Sequence, residues 1–276
     1  MWGSSLLVGR GHGRTYSKTA SSLDHRHKGG FTNLGNTCYI NASLQALLAL
    51  PPFVADVAND ELQASQTEAG VYQALARLAQ QCVSGRRQGI MDASQVKRCL
   101  ARVAQQFSGH AQQDAHEFLT YLLDELFTEL STRQPGGDDG RAILEPHPAC
   151  PTTLNFDCVI EHERVCVDPA CTHNSTIREY FRDFCLPLPD GGFTSQPSVQ
   201  ALLQQFFEPE SVEYKCEHCP AMFSQLQHRI TRLPRILFVQ IKRFHPATGD
   251  KIAQPVTIVL TINLGTRKEK KIKRKK

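Results

Sequence analysis

Nowhere does this chain run apolar for anything near the ~20 residues of a membrane-crossing helix. No helical membrane span is therefore expected in its 276 residues. A secretory signal is equally lacking, because Leu6-Leu7-Val8 is far too short an apolar core. Without a secretory route, the ten cysteines are expected as metal ligands, nucleophiles or core thiols rather than disulfides, in a cytoplasmic or nuclear protein. Internal repeats are missing too, which argues against a stacked-repeat fold. Residues 1–30 lack apolar periodicity and are rich in Gly, Ser, His and Arg, so they read as a disordered basic leader.

What is present is the composition of a soluble globular protein, 41% hydrophobic and 21% charged. The length suits one large domain or two small ones. Charge is unevenly spread. The chain has 31 Lys/Arg and 27 Asp/Glu, a net of +4. Residues 1–30 hold five basic and one acidic residue, and residues 267–276 hold eight and one. The body, 31–266, is left with 18 basic and 25 acidic residues, a net of −7. An acidic body suits a basic partner or plain solubility. The basic tail, 266–276, reads as a solvated charge run or as a nuclear-localisation or nucleic-acid-binding patch.

From 38 to 130 the apolar spacing is helical. Ile40, Leu44, Leu47 and Leu48 share a face that Pro51-Pro52 ends. Val71, Leu75, Leu78 and Cys82 mark a second face, and Val96, Cys99, Leu100 and Val103 a third, which makes Cys82 and Cys99 core thiols. The strongest pattern runs from about 114 to 130, and Asp114 with Glu117 forms a D-x-x-E capping signature at its start. Residues 131–150 read as a loop. Beyond it the period changes to two: Leu154, Phe156, Cys158 and Ile160, then Phe184, Leu186 and Leu188. A short helix is predicted over 198–207 and a buried strand over 236–244. Helices first and strands later give an α+β arrangement.

Cys38 stands where a loop meets a helix. Gly35 permits a tight path, and Asn36 or Thr37 is placed to cap the helix. A thiol at a helix N-terminus faces the positive dipole end, which favours the thiolate. Asn33 precedes it on the same loop, with an amide able to donate to an oxyanion formed when Cys38 attacks a carbonyl. A buried, inert cysteine at a helix start is the competing reading.

The stretch NLGNTCYINASLQAL resembles the cysteine box of the ubiquitin-specific proteases, through Gly35, Thr37, Cys38, Tyr39, Asn41 and Gln45. GHAQQDAHEFLTYLLDEL resembles that family's glutamine–aspartate box at Gln113, Asp114, Ala115, Glu117 and Phe118, and LPRILFVQIKRF at 233–244 resembles the strand before its histidine box. The resemblance spans 31–264. It implies a papain-like α+β core over 31–265: a helical thumb at about 31–130, then a β-rich palm with zinc-ribbon-like fingers at about 150–265, the palm incomplete at its C-terminus. It further implies a thiol peptidase that hydrolyses (iso)peptide bonds at the C-terminal glycine of ubiquitin, with ubiquitin and ubiquitinated proteins as partners. Cys38 would be the nucleophile, Asn33 the oxyanion donor, and Gln113 and Asp114 the lining of the channel that holds the ubiquitin tail. His116 reads as a polar-face residue and not a base.

Cys166-x4-Cys171 and Cys216-x2-Cys219, 44 residues apart, suit a closed tetrahedral zinc site with four thiolates. In the family such pairs sit at the tip of the fingers, each usually spaced C-x2-C. The second pair here fits and the first carries two extra residues. A former site with reduced thiols is the other reading. His173 and His218 lie close by in sequence but are not needed to complete four ligands.

A cysteine peptidase also needs a base and a group to orient it. In the family both follow the 233–244 strand, in a histidine box. Here the last histidine is His245, and residues 246–276 have none. TGDKIAQPVTIVLTINL still resembles the family's next strands. The expectation is a chain truncated before the histidine box, with impaired catalysis. Two alternatives stand beside the peptidase: a non-catalytic ubiquitin-binding module, and a zinc-bearing scaffold whose basic tail binds nucleic acid.

Overall fold

A computed structural model gives the structure of the chain and describes residues 4–9, 29–59, 62, 70–84, 89–134, 143–188, 196–245 and 247–264. Most of the basic leader and all of the basic tail from 266 lie outside the described residues. Within the leader, Ser4–Gly9 forms strand β1, where the sequence predicts an irregular segment. The chain divides into two compact units, residues 1–156 with 234–238 and residues 157–233 with 239–276. No single described helix is long and apolar enough to cross a membrane.

The first unit is helical, as its spacing predicts. Helix α1 (Cys38–Leu48) buries Ile40, Leu44, Leu47 and Leu48. Pro51 and Pro52 end α1 but also open α2 (Pro51–Val57), where the missing N–H costs nothing. Helix α3 (Val71–Val83) buries Val71, Leu75, Leu78 and Cys82. Helix α4 (Ser94–Leu100) buries Val96, Cys99 and Leu100. It stops before Val103, which is 54% exposed rather than on the buried face. Helix α5 (Ala115–Glu129) buries Phe118, Leu119, Leu122, Leu123 and Leu126.

Two local readings change. Residues 131–150 are not only loop, because Ser131–Gln134 (β2) and Ile143–Pro146 (β3) pair antiparallel. Leu154 and Phe156, read as strand, belong to helix α6 (Pro151–Asn155) and its C-cap, since proline at the first helical positions nucleates a turn there. Phe53, Tyr72, Phe107, Phe118, Phe156, Ile236 and Phe238 are all buried in one core. Each such side chain contributes about 1.5–3 kcal/mol of transfer free energy. Asp56 Oδ2 holds the edge of this core together, accepting from Asn155 Nδ2 (2.8 Å) and Arg235 Nη1 (2.7 Å).

The second unit carries a four-stranded antiparallel sheet of Cys158–Cys166 (β4), Asn174–Phe181 (β5), Glu210–Glu213 (β7) and Phe223–Arg232 (β8), in the order β5-β4-β8-β7. Cys158 is buried, and burial pushes its thiol up to about 11. Glu161, on β4, sits between Arg229 and Arg178, which hold its carboxyl below the usual range. Phe184–Pro187 (β6) runs parallel to Ile236–Lys242 (β9), with Phe184 opposite Val239. Strand β9 is the middle of a three-stranded sheet ordered β1-β9-β6. Helix α7 (Val199–Phe206) is capped by Ser198 Oγ, which accepts from Ala201 N–H at 3.1 Å. Residues 254–263 contain no strand: Thr257 makes an isolated bridge to Ser198 and the stretch is otherwise irregular.

Candidate functional site

The loop from Asn33 to Thr37 is built by its own polar groups. Asn33 Oδ1 accepts from Gly35 N–H at 3.0 Å and from the Thr37 hydroxyl at 3.4 Å. Leu34 N–H donates to Thr37 Oγ1 at 3.0 Å. Gly35 (φ 92°) and Asn36 (φ 51°) both take the left-handed region. A Cβ on Gly35 would stand 3.0 Å from His110 Nδ1. Asn36 Nδ2 donates to the His110 carbonyl at 2.9 Å. His110 is positioned in turn by Lys97, whose Nζ donates to the carbonyls of Ser108 (2.9 Å) and Gly109 (2.8 Å).

Thr37 stands at the N-cap of α1, but neither it nor Asn36 caps the helix through a side chain. The Thr37 hydroxyl is spent inside the loop, because a Thr side chain satisfies nearby backbone as readily as the helix ahead of it. Two consequences follow. The first N–H groups of α1 have no side-chain acceptor, and Cys38, half-buried, is the first residue of that helix. The carbonyl end of the Asn33 amide is turned inward, and its nitrogen makes no hydrogen bond among the described residues. Tyr39 anchors the helix start, its ring 6.0 Å from Phe107 and 5.5 Å from Phe118. Burial and, secondarily, the neighbouring Cys38 raise the Tyr39 phenol pKa.

Gln113 and Asp114 open α5 beside this loop. Asp114 Oδ1 accepts from His116 N–H (2.7 Å) and Glu117 N–H (3.3 Å), the cap its D-x-x-E pattern predicts. The second half of the box differs, since the Glu117 carboxylate takes Gln106 Nε2 at 3.3 Å. Gln113 Nε2 donates to the Gln106 carbonyl at 3.0 Å. Ser43 Oγ donates to the Ala115 carbonyl at 3.2 Å, which ties α1 to the first turn of α5. The structure thus brings Asn33, Cys38, Gln113 and Asp114 onto two packed helix starts of one unit. His116 is not a polar-face residue: it is half-buried, with its ring 5.4 Å from that of Phe238. His245 lies in the 243–252 hairpin of the other unit, its N–H donating to the Asp250 carbonyl at 2.9 Å. The pairing of Asn36 with His110 is what the sequence reading passes over. Their contact spans 74 positions, and no local pattern announces it.

The four cysteines meet at the tips of two hairpins. Cys166 Sγ is 3.4 Å from Cys219 Sγ, and Cys171 Sγ is 3.8 Å from Cys216 Sγ. All four sulfurs lie within 4.8 Å of one another, and all four thiols are free. Zinc–sulfur bonds of ~2.3 Å in a tetrahedron place sulfurs ~3.8 Å apart, so the spacing fits. The amides fit as well. His218 N–H donates to Cys216 Sγ at 3.4 Å and draws that thiol down to about 7. The Ala221 amide draws on Cys219, but loss of water and the thiols of Cys166, Cys216 and Cys171 push it up to about 12. Thiols this crowded ionise together only around a cation. These four cysteines could hold a metal ion, and the extra two residues of the first pair form a turn closed by Cys171 N–H to the Asp168 carbonyl at 3.0 Å.

Residues 29–276 match the family model described as ubiquitin carboxyl-terminal hydrolase. Ubiquitin carboxyl-terminal hydrolase 37 of Homo sapiens is 31% identical over 264 residues, 89% of this chain and 27% of that protein. Ubiquitin carboxyl-terminal hydrolase 29 of Mus musculus is 31% identical over 260 residues, 88% of this chain and 29% of that protein. The chain therefore spans little more than a quarter of the length of these relatives. Among solved structures, the SAGA DUB module Ubp8/Sgf11/Sus1/Sgf73 bound to monoubiquitin aligns with a TM-score of 0.66 at 22% identity, covering 86% of this chain and 54% of that one. The same module bound to ubiquitin aldehyde aligns with a TM-score of 0.65 at 21% identity, covering 86% and 52%. At that identity the likeness speaks for the fold, a papain-like α+β core.

Proposed function

The chain belongs to the ubiquitin carboxyl-terminal hydrolase family, in its ubiquitin-specific protease branch, and from that premise we propose that it is a deubiquitinating cysteine peptidase domain acting at the C-terminal glycine of ubiquitin. One observation carries the role assignment. The 33–38 loop spends the Asn33 carbonyl internally and leaves its amide nitrogen without a partner among the described residues, on the loop that leads into Cys38 at a helix start. In this reading Cys38 attacks the carbonyl carbon, and the developing oxyanion takes hydrogen bonds from Asn33 Nδ2 and the uncapped N–H groups of α1. Gln113 and Asp114 line the channel for the extended tail. Ubiquitin is the partner, in keeping with the ubiquitin-bound module whose fold the chain shares. Zinc is the metal of the four-cysteine centre, holding the hairpin tips of the fingers. Free thiols throughout suit a cytoplasmic or nuclear setting.

The thiol proton needs an acceptor, and the leaving amine needs that proton back. Residues 246–276 offer no histidine for this. The 276 residues alone are accordingly proposed to bind ubiquitin, react once at Cys38 and turn over poorly. A ubiquitin probe with an electrophilic C-terminus tests the site. Labelling is expected in the wild type, none in Cys38→Ala, and a rate about 10²–10³-fold lower in Asn33→Ala. Turnover of a ubiquitin-fused fluorophore at ordinary rates would refute the impairment. The second reading is a ubiquitin-binding module without catalysis. Tight monoubiquitin binding with an unreactive Cys38 would decide for it.

A further inference from the structure

Each cysteine turn carries a histidine two residues past a ligand: Cys171-Thr172-His173 in one and Cys216-Glu217-His218 in the other. Four thiols already complete a tetrahedral set, so neither imidazole has a place in it. The main chains of both histidines nevertheless serve that centre. The His173 carbonyl accepts from Cys166 N–H at 3.2 Å, and His218 N–H donates to Cys216 Sγ at 3.4 Å. The rings are left over, and the two turns bring them together at a centroid separation of 4.1 Å. Metal-ligating atoms of His173, Glu217 and His218 lie within 4.8 Å of one another. The two imidazoles help line an open cavity of about 580 Å³ that also presents Asp168 and Asn174.

We propose that His173, His218 and Glu217 form a second cation site beside the four-cysteine centre, for a borderline divalent transition metal such as zinc, cobalt or nickel. Two arguments converge on it. Two imidazoles and one carboxylate are the donors such metals prefer, whereas calcium and magnesium demand all-oxygen sets. Four thiolates around a divalent ion keep a net double negative charge, which attracts a second cation nearby. Glu217 and His218 are exposed and His173 is half-buried, so the ion stays exchangeable with open positions. Filling the cysteine centre fixes both histidine backbones, so the first metal prepares the site for the second.

Cobalt(II) titration of the metal-free full chain tests this without any reference to peptidase turnover. Cobalt in a thiolate centre shows intense sulfur-to-metal charge transfer, and cobalt held by imidazole and carboxylate does not. The first equivalent is expected to develop that absorption fully. A second is expected to bind with no further charge transfer, giving two metals per chain by elemental analysis. His173→Ala with His218→Ala should lose the second equivalent and keep the first spectrum unchanged, which also reports that the fold survives. Glu217→Gln should weaken the second equivalent about 10-fold. A single equivalent in the wild type, or two in the double variant, overturns the proposal. So does an altered thiolate spectrum in the double variant, which would make the histidines ligands of the first ion.

Discussion

Gly35 shows how much of the site rests on single atoms. Its φ is 92°, and a methyl added there would lie 3.0 Å from His110 Nδ1, close enough that the imidazole would have to give way by a few tenths of an ångström. Gly35→Ala is expected to destabilise the first unit by about 1–2 kcal/mol from the left-handed backbone alone. Because the strain falls on the residue between Asn33 and Cys38, probe labelling of Cys38 should slow more than the stability loss explains. Unchanged labelling in a folded Gly35→Ala protein would show that the loop does not position the thiol. Cys38 and Asp114 were legible in the sequence because their signals are local: a glycine-bearing turn before a helix, and an acid three residues before another. Thr37 was misread for an equally local reason. Its hydroxyl reaches back to Leu34 N–H instead of forward into the helix, and sequence does not decide between those competing partners. The Asn36–His110 contact was out of reach, since only the packing of α1 beside α5 creates it.

At the scale of elements, helix α3 has no cap of its own. Gly70 precedes it, and the Glu129 carboxylate at the end of α5 accepts from Val71 N–H and Tyr72 N–H at 2.7 Å each. A carboxylate on a helix N-terminus satisfies two orphan donors and the dipole together. Glu129→Ala should therefore cost about 1–2 kcal/mol in urea unfolding, and Glu129→Gln less. Equal stability of all three proteins would remove the clamp from the account. No reading of 71–83 foresees this, because the cap lies 58 residues away. In the four-stranded sheet, His162 and His228 face each other across β4 and β8 with Nδ1 atoms 2.7 Å apart. Glu179 flanks the first at 3.6 Å and Glu210 the second at 3.8 Å. Burial, then the nearby His162, lowers the His228 pKa, and Glu210 only partly offsets this. The folded state thus binds fewer protons than the unfolded one. Stability contributed by neutral His228 is present above the unfolded value of ~6.5 and is lost as pH falls through the lower folded value. The midpoint of unfolding should drop between pH 7.5 and pH 5, and His228→Gln should flatten that drop. An identical pH profile in the variant would assign the acid sensitivity elsewhere.

For the whole molecule, the division into two units sets what metal can and cannot do. The helical unit has a continuous core of large buried side chains and needs no staple. The sheet of the second unit has little core beneath it. Strand β5 is almost wholly exposed, and β7 buries none of its four residues. That is why the sequence revealed the two cysteine pairs but not these strands: alternation is readable only where one face is covered. The cysteines were legible because four ligands at two spacings require each other, wherever the chain runs between them. A metal held by all four would close the β4–β5 turn onto the β7–β8 turn and so supply the sheet with a link that packing does not. Chelation, or Cys216→Ala, should therefore strip amide-exchange protection from 158–181 and 223–232 while leaving α1, α3 and α5 protected. Structural zinc centres contribute free energy on the order of the whole stability of a small domain. The sheet is accordingly expected to melt separately and first in the chelated protein, with the helical transition at an unchanged temperature. If both units lose protection together on chelation, the metal supports a single cooperative fold instead of the tip of one sheet.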